Sequence, residues 1–122
     1  MTKAACVHAF FSSFGIRAYE EASVPDDAAM PYLTYGLVTS SGGEECAVTA
    51  DLWYGGPSRV EVNAKSEEIS AALGSGGVML PCDGGRIRIR RGEPFAFSVK
   101  EDGKYEICRK TVNLFVMYLT HN

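Results

Sequence analysis

The stretch from Cys46 to Leu73, CAVTADLWYGGPSRVEVNAKSEEISAAL, constrains this chain more than any other. It opens in alternation. Ala47, Thr49, Asp51 and Trp53 fall on one side of an extended chain, and Val48, Ala50, Leu52 and Tyr54 on the other. Gly55-Gly56-Pro57 then stops the strand, because two glycines and a proline cannot extend a paired ladder. Past the break the period changes. Val62, Ser66, Ile69 and Leu73 recur at three- and four-residue spacings, which predicts one buried helical face. Gly74-Ser75-Gly76-Gly77 ends the helix.

The remaining segments supply more strands and one more helix. Thr2 to Phe14 reads as a helix with Val7, Phe10, Phe11 and Phe14 as its apolar stripe, ended by Gly15. Ile16 to Val24 is a connector with room for a short strand, and Pro25-Asp26-Asp27 is a turn. Tyr32 to Thr39 reads as a strand with both faces partly apolar. The short Gly-rich link Ser40–Gly43 predicts an antiparallel pairing with the strand at Cys46–Tyr54. Val78–Cys82 is a short segment before the Asp83-Gly84-Gly85 turn. Arg86, Arg88 and Arg90 then alternate with Ile87 and Ile89, which predicts a strand with a basic outer face and an apolar inner one. Gly92-Glu93-Pro94 is expected to break it. A further strand follows at Pro94–Lys100, with Phe95, Phe97 and Val99 on one face. Glu101–Lys104 reads as a solvated turn. The last strand, Arg109–Leu119, is apolar on both faces, so it is either central or covered by a partner. Strands and helices in this order predict an α+β fold. We expect one domain over 1–122, with an antiparallel sheet of about five strands, mixed pairing left open, and two helices packed on it.

Composition narrows the function classes. The chain has 122 residues, 46% hydrophobic and 22% charged, with a net charge of −3. It is long enough to bury a core without metal or disulfide. The acidic balance argues against general nucleic-acid binding. Cys6, Cys46, Cys82 and Cys108 are far apart and form no C-x-x-C pair, so zinc is not expected. An even count would allow two disulfides, but the N-terminus resembles no secretory signal, and the thiols are read as reduced and mostly buried in a cytosolic protein. No apolar run reaches the ~20 residues of a membrane span.

No catalytic motif stands out, and no enzyme activity, cofactor or metal is expected. His8 and His121 belong to no recognisable triad. Gly74–Gly77 follows a helix, where carbonyls and not N–H groups face outward, so it suits no phosphate. Glu67-Glu68 reads as a solvated helix face, and Asp51 either pairs across strands or faces solvent. The arginine row Arg86, Arg88, Arg90 and Arg91 is the unusual feature, about 20 Å of strand. It reads either as a charged face paired with Glu44, Glu45 or other carboxylates, or as a contact surface for an acidic neighbour or a phosphate backbone.

Several runs together resemble the tail terminator, or tail completion, proteins of long-tailed phages and the related minor tail components of prophages. These are the helix ending at Phe14-Gly15, the run Met30-Pro31-Tyr32-Leu33-Thr34-Tyr35, Asp51-Leu52-Trp53 followed by the helix to Leu73, and Arg109 leading into Val112–Tyr118. The Gly55-Gly56-Pro57 break and the shortness of the helix depart from that pattern. The resemblance implies structural work without catalysis. Such proteins form a ring, typically of six subunits, that caps the tail tube and docks to the head–tail connector. DNA passes through the lumen without sequence-specific binding. No membrane is involved, and the location is the bacterial cytoplasm during assembly and then the virion tail. Subunit contacts are expected at Arg86, Arg88, Arg90, Arg91, Glu44 and Glu45 and at the loops Ser40–Glu45 and Gly74–Gly77. A head-completion or neck protein of a phage is the nearest rival. A small-molecule-binding α+β domain with a pocket between helix and sheet is a third reading.

Overall fold

The computed structural model of the chain describes residues 1–101 and 106–122. Two helices and six strands follow in the order α1 (Lys3–Phe11), β1 (Arg17–Glu20), β2 (Tyr32–Tyr35), β3 (Glu45–Gly55), α2 (Val60–Leu73), β4 (Val78–Cys82), β5 (Gly85–Val99) and β6 (Ile107–Thr120). The strands form one sheet in the order β1-β2-β3-β6-β5-β4. The β1–β2 pair is parallel and every other pair antiparallel, so the fold is α+β with a mixed sheet. The expected turn beyond Glu101 lies outside the described residues.

The alternating residues decide what the sheet buries. Leu33, Leu52, Ile87, Ile89, Val112, Leu114, Val116 and Tyr118 are all essentially inaccessible and share one face. Both helices pack on that face. α1 contributes Val7, Phe10 and Phe11, with Phe14 just beyond it, and α2 contributes Val62, Ser66, Ile69 and Leu73, the spacing anticipated above. Each fully buried aliphatic side chain contributes about 1.5–3 kcal/mol. Phe11 also stacks on Tyr35 at 4.8 Å between centroids. Thr2 caps α1 by accepting the Ala5 N–H at 3.1 Å. No helix among the described residues is long and apolar enough to cross a membrane.

Several expectations need correction. The helix ends at Phe11, and Ser12–Phe14 continues as a single 3-10 turn. The Tyr32–Thr39 strand stops at Tyr35. Gly36 still donates to Thr49 O, but Val38 O then accepts from the Tyr118 hydroxyl at 2.5 Å, which draws the backbone off the ladder. Gly92-Glu93-Pro94 does not end its strand. β5 runs through it with a register shift between Arg91 and Ala96, and Asn113 Nδ2 holds the bulged segment by donating to Pro94 O at 2.9 Å. The sheet has six strands because Arg17–Glu20 pairs alongside β2 and Val78–Cys82 pairs with β5. The doubly apolar last strand, β6, is central, between β3 and β5.

Candidate interaction surface

Among the described residues, neither α1 nor α2 covers the other face of the sheet. Its residues are those out of phase with the core: Tyr32 and Thr34 on β2, Glu45 to Trp53 in alternation on β3, Arg109 to Leu119 on β6, and Arg86, Arg88 and Arg90 on β5. Many of these are half-buried although neither helix packs above them. Their own neighbours shield them, and two clusters account for most of this.

The first cluster surrounds Arg109. Its guanidinium lies 4.7 Å from the Trp53 ring centre, and Nη1 donates to Glu101 Oε1 at 3.0 Å. Nε lies 3.3 Å from Asp51 Oδ1, an ion pair outside hydrogen-bond geometry, while Thr111 donates to the same oxygen at 2.5 Å. Burial opposes the Arg109 charge, but the two carboxylates outweigh it, so its pKa is raised. Trp53 donates to Thr34 Oγ1 at 2.9 Å and stacks on Tyr32, which meets Tyr19 edge-on. An aromatic row thus runs from β1 to β3 and ends on a cation.

The second cluster contains the predicted arginines. Arg90 forks Glu45, with Nε to Oε2 at 2.7 Å and Nη2 to Oε1 at 2.6 Å, and lies 4.5 Å over the Phe115 ring centre. These hydrogen bonds hold the Glu45 carboxyl below the usual range and raise Arg90. Among the described residues Arg88 bonds the Gly76 carbonyl alone, at 2.8 and 3.3 Å. Arg86 is exposed. Arg91 is separated from the other three. It lies opposite Leu114 on the helix face and donates to Ser70 on α2 at 3.0 Å. Glu44 is exposed, with no described cation within salt-bridge distance. The structure therefore joins Glu45, Arg90 and Arg88 on one surface, beside the Gly74–Gly77 loop, and leaves Arg91 and Glu44 out. The Arg109 cluster has no local sequence signature. Asp51 and Trp53 lie far from Arg109 along the chain, and only the β3–β6 register brings them together.

The other chemical side chains are accounted for locally. His8 Nδ1 shares a hydrogen bond with the Tyr35 hydroxyl at 3.0 Å, and its Nε2 another with Ser12 Oγ at 3.3 Å. Ser12 sits at the carbonyl end of α1, a poor place to stabilise an oxyanion. Cys6 and Cys108 are buried, and Cys108 donates to Gly56 O at 3.0 Å. Among the described residues no three His, Cys, Asp or Glu side chains converge as a metal site. A hollow of about 880 Å³ at the β5 bulge is lined by Arg90, Arg91, Glu93, Phe95 and Phe115. Another of about 340 Å³ lies beside Thr49, Asn113 and Phe115. No family model matches the chain, and no curated protein matches it in sequence.

Proposed function

We propose that this chain is a structural subunit of a long-tailed phage or prophage, a tail terminator or minor tail component. It closes into a ring, six-membered by the resemblance, on the finished tail tube and joins that tube to the head connector. The observation that supports this best is the sheet face that neither helix covers. Protein interfaces favour Tyr, Trp, Met and Arg, and this face carries Tyr19, Tyr32, Trp53, Met117, Arg88, Arg90 and Arg109. Arg90, Arg109 and Trp53 are already fixed by hydrogen bonds and ring contacts, so they lose little freedom on docking. The net charge of −3 suits a lumen through which DNA slides without sequence-specific binding. No catalytic step belongs to this reading.

Deletion of the gene tests it. Overlong or unterminated tails are the expected result. Heads that leak DNA beside normal free tails would make the chain a head-completion or neck protein instead. Native mass spectrometry with negative-stain microscopy should find a closed ring, and Arg88→Glu with Arg90→Glu should abolish both ring and tail completion. A strict monomer that a small molecule stabilises against heat would favour a pocket-binding domain.

A further inference from the structure

We propose that β1 is an open docking edge, and that an extended segment of another protein pairs with it antiparallel as a seventh strand. This does not rest on the tail reading, since it follows from the sheet edge and the hollow beside it.

β1 closes one side of the sheet and pairs with β2 alone. Half of its N–H and C=O groups therefore point away from the sheet. Among the described residues, no backbone group outside β2 bonds Arg17–Glu20. The opposite edge is different. Pro81 sits within β4 and removes an N–H from its row. β1 has no proline, and its register with β2 runs without a bulge. A hollow of about 540 Å³ lies beside this open edge. His8 of α1 and Ser12 just beyond it form one wall, and Gly15 to Tyr19 form the other in unbroken succession. One face of a strand would contribute only alternate residues, whereas a backbone edge contributes every one. The Tyr35 hydroxyl at 3.0 Å and Ser12 Oγ at 3.3 Å hold the His8 ring in its wall. The slot between helix and edge is thus already formed, which lowers the cost of adding a strand there.

The register specifies the occupant. Ala18 and Glu20 lie opposite Leu33 and Tyr35, on the helix face, while Arg17 and Tyr19 lie opposite Tyr32 and Thr34, on the open face. Neither Arg17 nor Glu20 has an ion pair among the described residues. Residues opposite each other in an antiparallel pair share a face, and opposite charges there attract. From its N-terminal end the segment therefore carries a basic residue against Glu20, a β-branched or aromatic one against Tyr19, a small one against buried Ala18 and an acidic one against Arg17. Another copy joined antiparallel by the same edge cannot supply this order. Its Glu20 lies on the helix face, so Arg17 would meet Tyr19 or a second Arg17 and no carboxylate of the strand.

The probe is a blocked peptide with the core Lys-Val-Ala-Glu flanked by threonines, titrated into the full chain and followed by two-dimensional NMR. Saturable shifts are expected at the amides of Ser12 and of Arg17 to Glu20. The reversed core Glu-Val-Ala-Lys should bind roughly tenfold more weakly, because both opposite-charge pairs become like-charge pairs. Arg17→Glu, at an exposed position, should weaken the first peptide roughly fivefold and be rescued by the core Lys-Val-Ala-Lys. N-methylation separates backbone pairing from side-chain contact. Methylating the Lys and Ala amides of the peptide, or the Val and Glu amides, removes one phase of donors at a time, and only one phase faces β1. One set should abolish binding and the other should leave it intact. Equal effects of the two sets overturn the proposal. So do shifts placed elsewhere, equal binding of the reversed core, or no binding at millimolar peptide. A wild-type dimer whose β1 amides are already protected from exchange also overturns it, by giving the edge to a second copy. Tail length after gene deletion judges the tail reading and leaves this test unchanged.

Discussion

Arg109 is the residue on which the open face most depends. It compensates two carboxylates that are themselves largely shielded, with side-chain exposures of 15% for Asp51 and 23% for Glu101. Arg109→Met keeps the aliphatic stem but strands both negative charges, and should lower stability by on the order of 2–3 kcal/mol in urea unfolding. Arg109→Lys should fall between, since an ammonium lacks the planar fork that faces Trp53 and Glu101 together. The Glu45–Arg90 pair predicts a pH effect. Arg90's hydrogen bonds depress the Glu45 pKa, so the pair's contribution is present above the ordinary carboxylate pKa and is lost as pH falls through the depressed value. The gap in urea midpoint between wild type and Glu45→Gln should therefore hold steady down to about pH 5 and close below it. Tyr118 acts at the other end of the scale. Burial pushes its phenol up to about 12. The neutral form is favoured in the fold, so its contribution is complete below the unfolded value near 10 and is lost as pH rises toward 12. Tyr118→Phe should cost about 1 kcal/mol at neutral pH by freeing Val38 O, and should flatten the alkaline limb of the stability curve.

Among the elements, α2 and the β4–β5 hairpin hold the arginine row in place. Ile69 is fully buried between α2 and the sheet. Ile69→Ala should cost 2–5 kcal/mol, about the range of large-to-small changes in a close-packed core. Gly77 enters β4 with φ +80, and a Cβ there would press on the Ile89 carbonyl and lie 2.8 Å from Arg90 Cβ. Gly77→Ala should therefore destabilise by on the order of 2–3 kcal/mol and pull β4 from β5, visible as faster amide exchange in Leu80 and Ile87. The β5 bulge was the least legible element. Gly-Glu-Pro is a strong local breaker, yet β6 continues past it, and the Asn113 amide satisfies the Pro94 carbonyl where the ladder is interrupted between Arg91 and Ala96.

For the whole molecule, one core serves both helices and the sheet, so unfolding should be a single transition. Trp53 is the only tryptophan and lies on the open face, whereas far-UV dichroism reports mainly the helices and sheet. Coincident melts from the two signals are expected, and separated melts would mean that the open face loosens first. Arg86 and Arg88 have no ion pair among the described residues, so assembly through the face that carries them should weaken as salt rises, because contacts between exposed charges are screened within about 8–10 Å at ordinary ionic strength. Sedimentation velocity over a salt series measures this directly.

Local periodicity determined which side chains enter the core. Val62, Ser66, Ile69 and Leu73 on a helix, and Ile87 and Ile89 between arginines, could be assigned from spacing alone, because helical and extended backbones impose fixed side-chain periods. The two-sided apolar pattern of the last strand likewise marked it as central or covered. Tertiary structure alone decided the strand order, the parallel β1–β2 pair and the register of β3 against β6. These rest on hydrogen bonds between residues distant along the chain, for which no local pattern exists. That register brings Asp51 and Trp53 to Arg109, and the pairing of β4 with β5 sets Arg86 and Arg88 opposite Pro81 and Met79. The sequence supplies these charges, and the long-range pairing of the strands decides which of them meet.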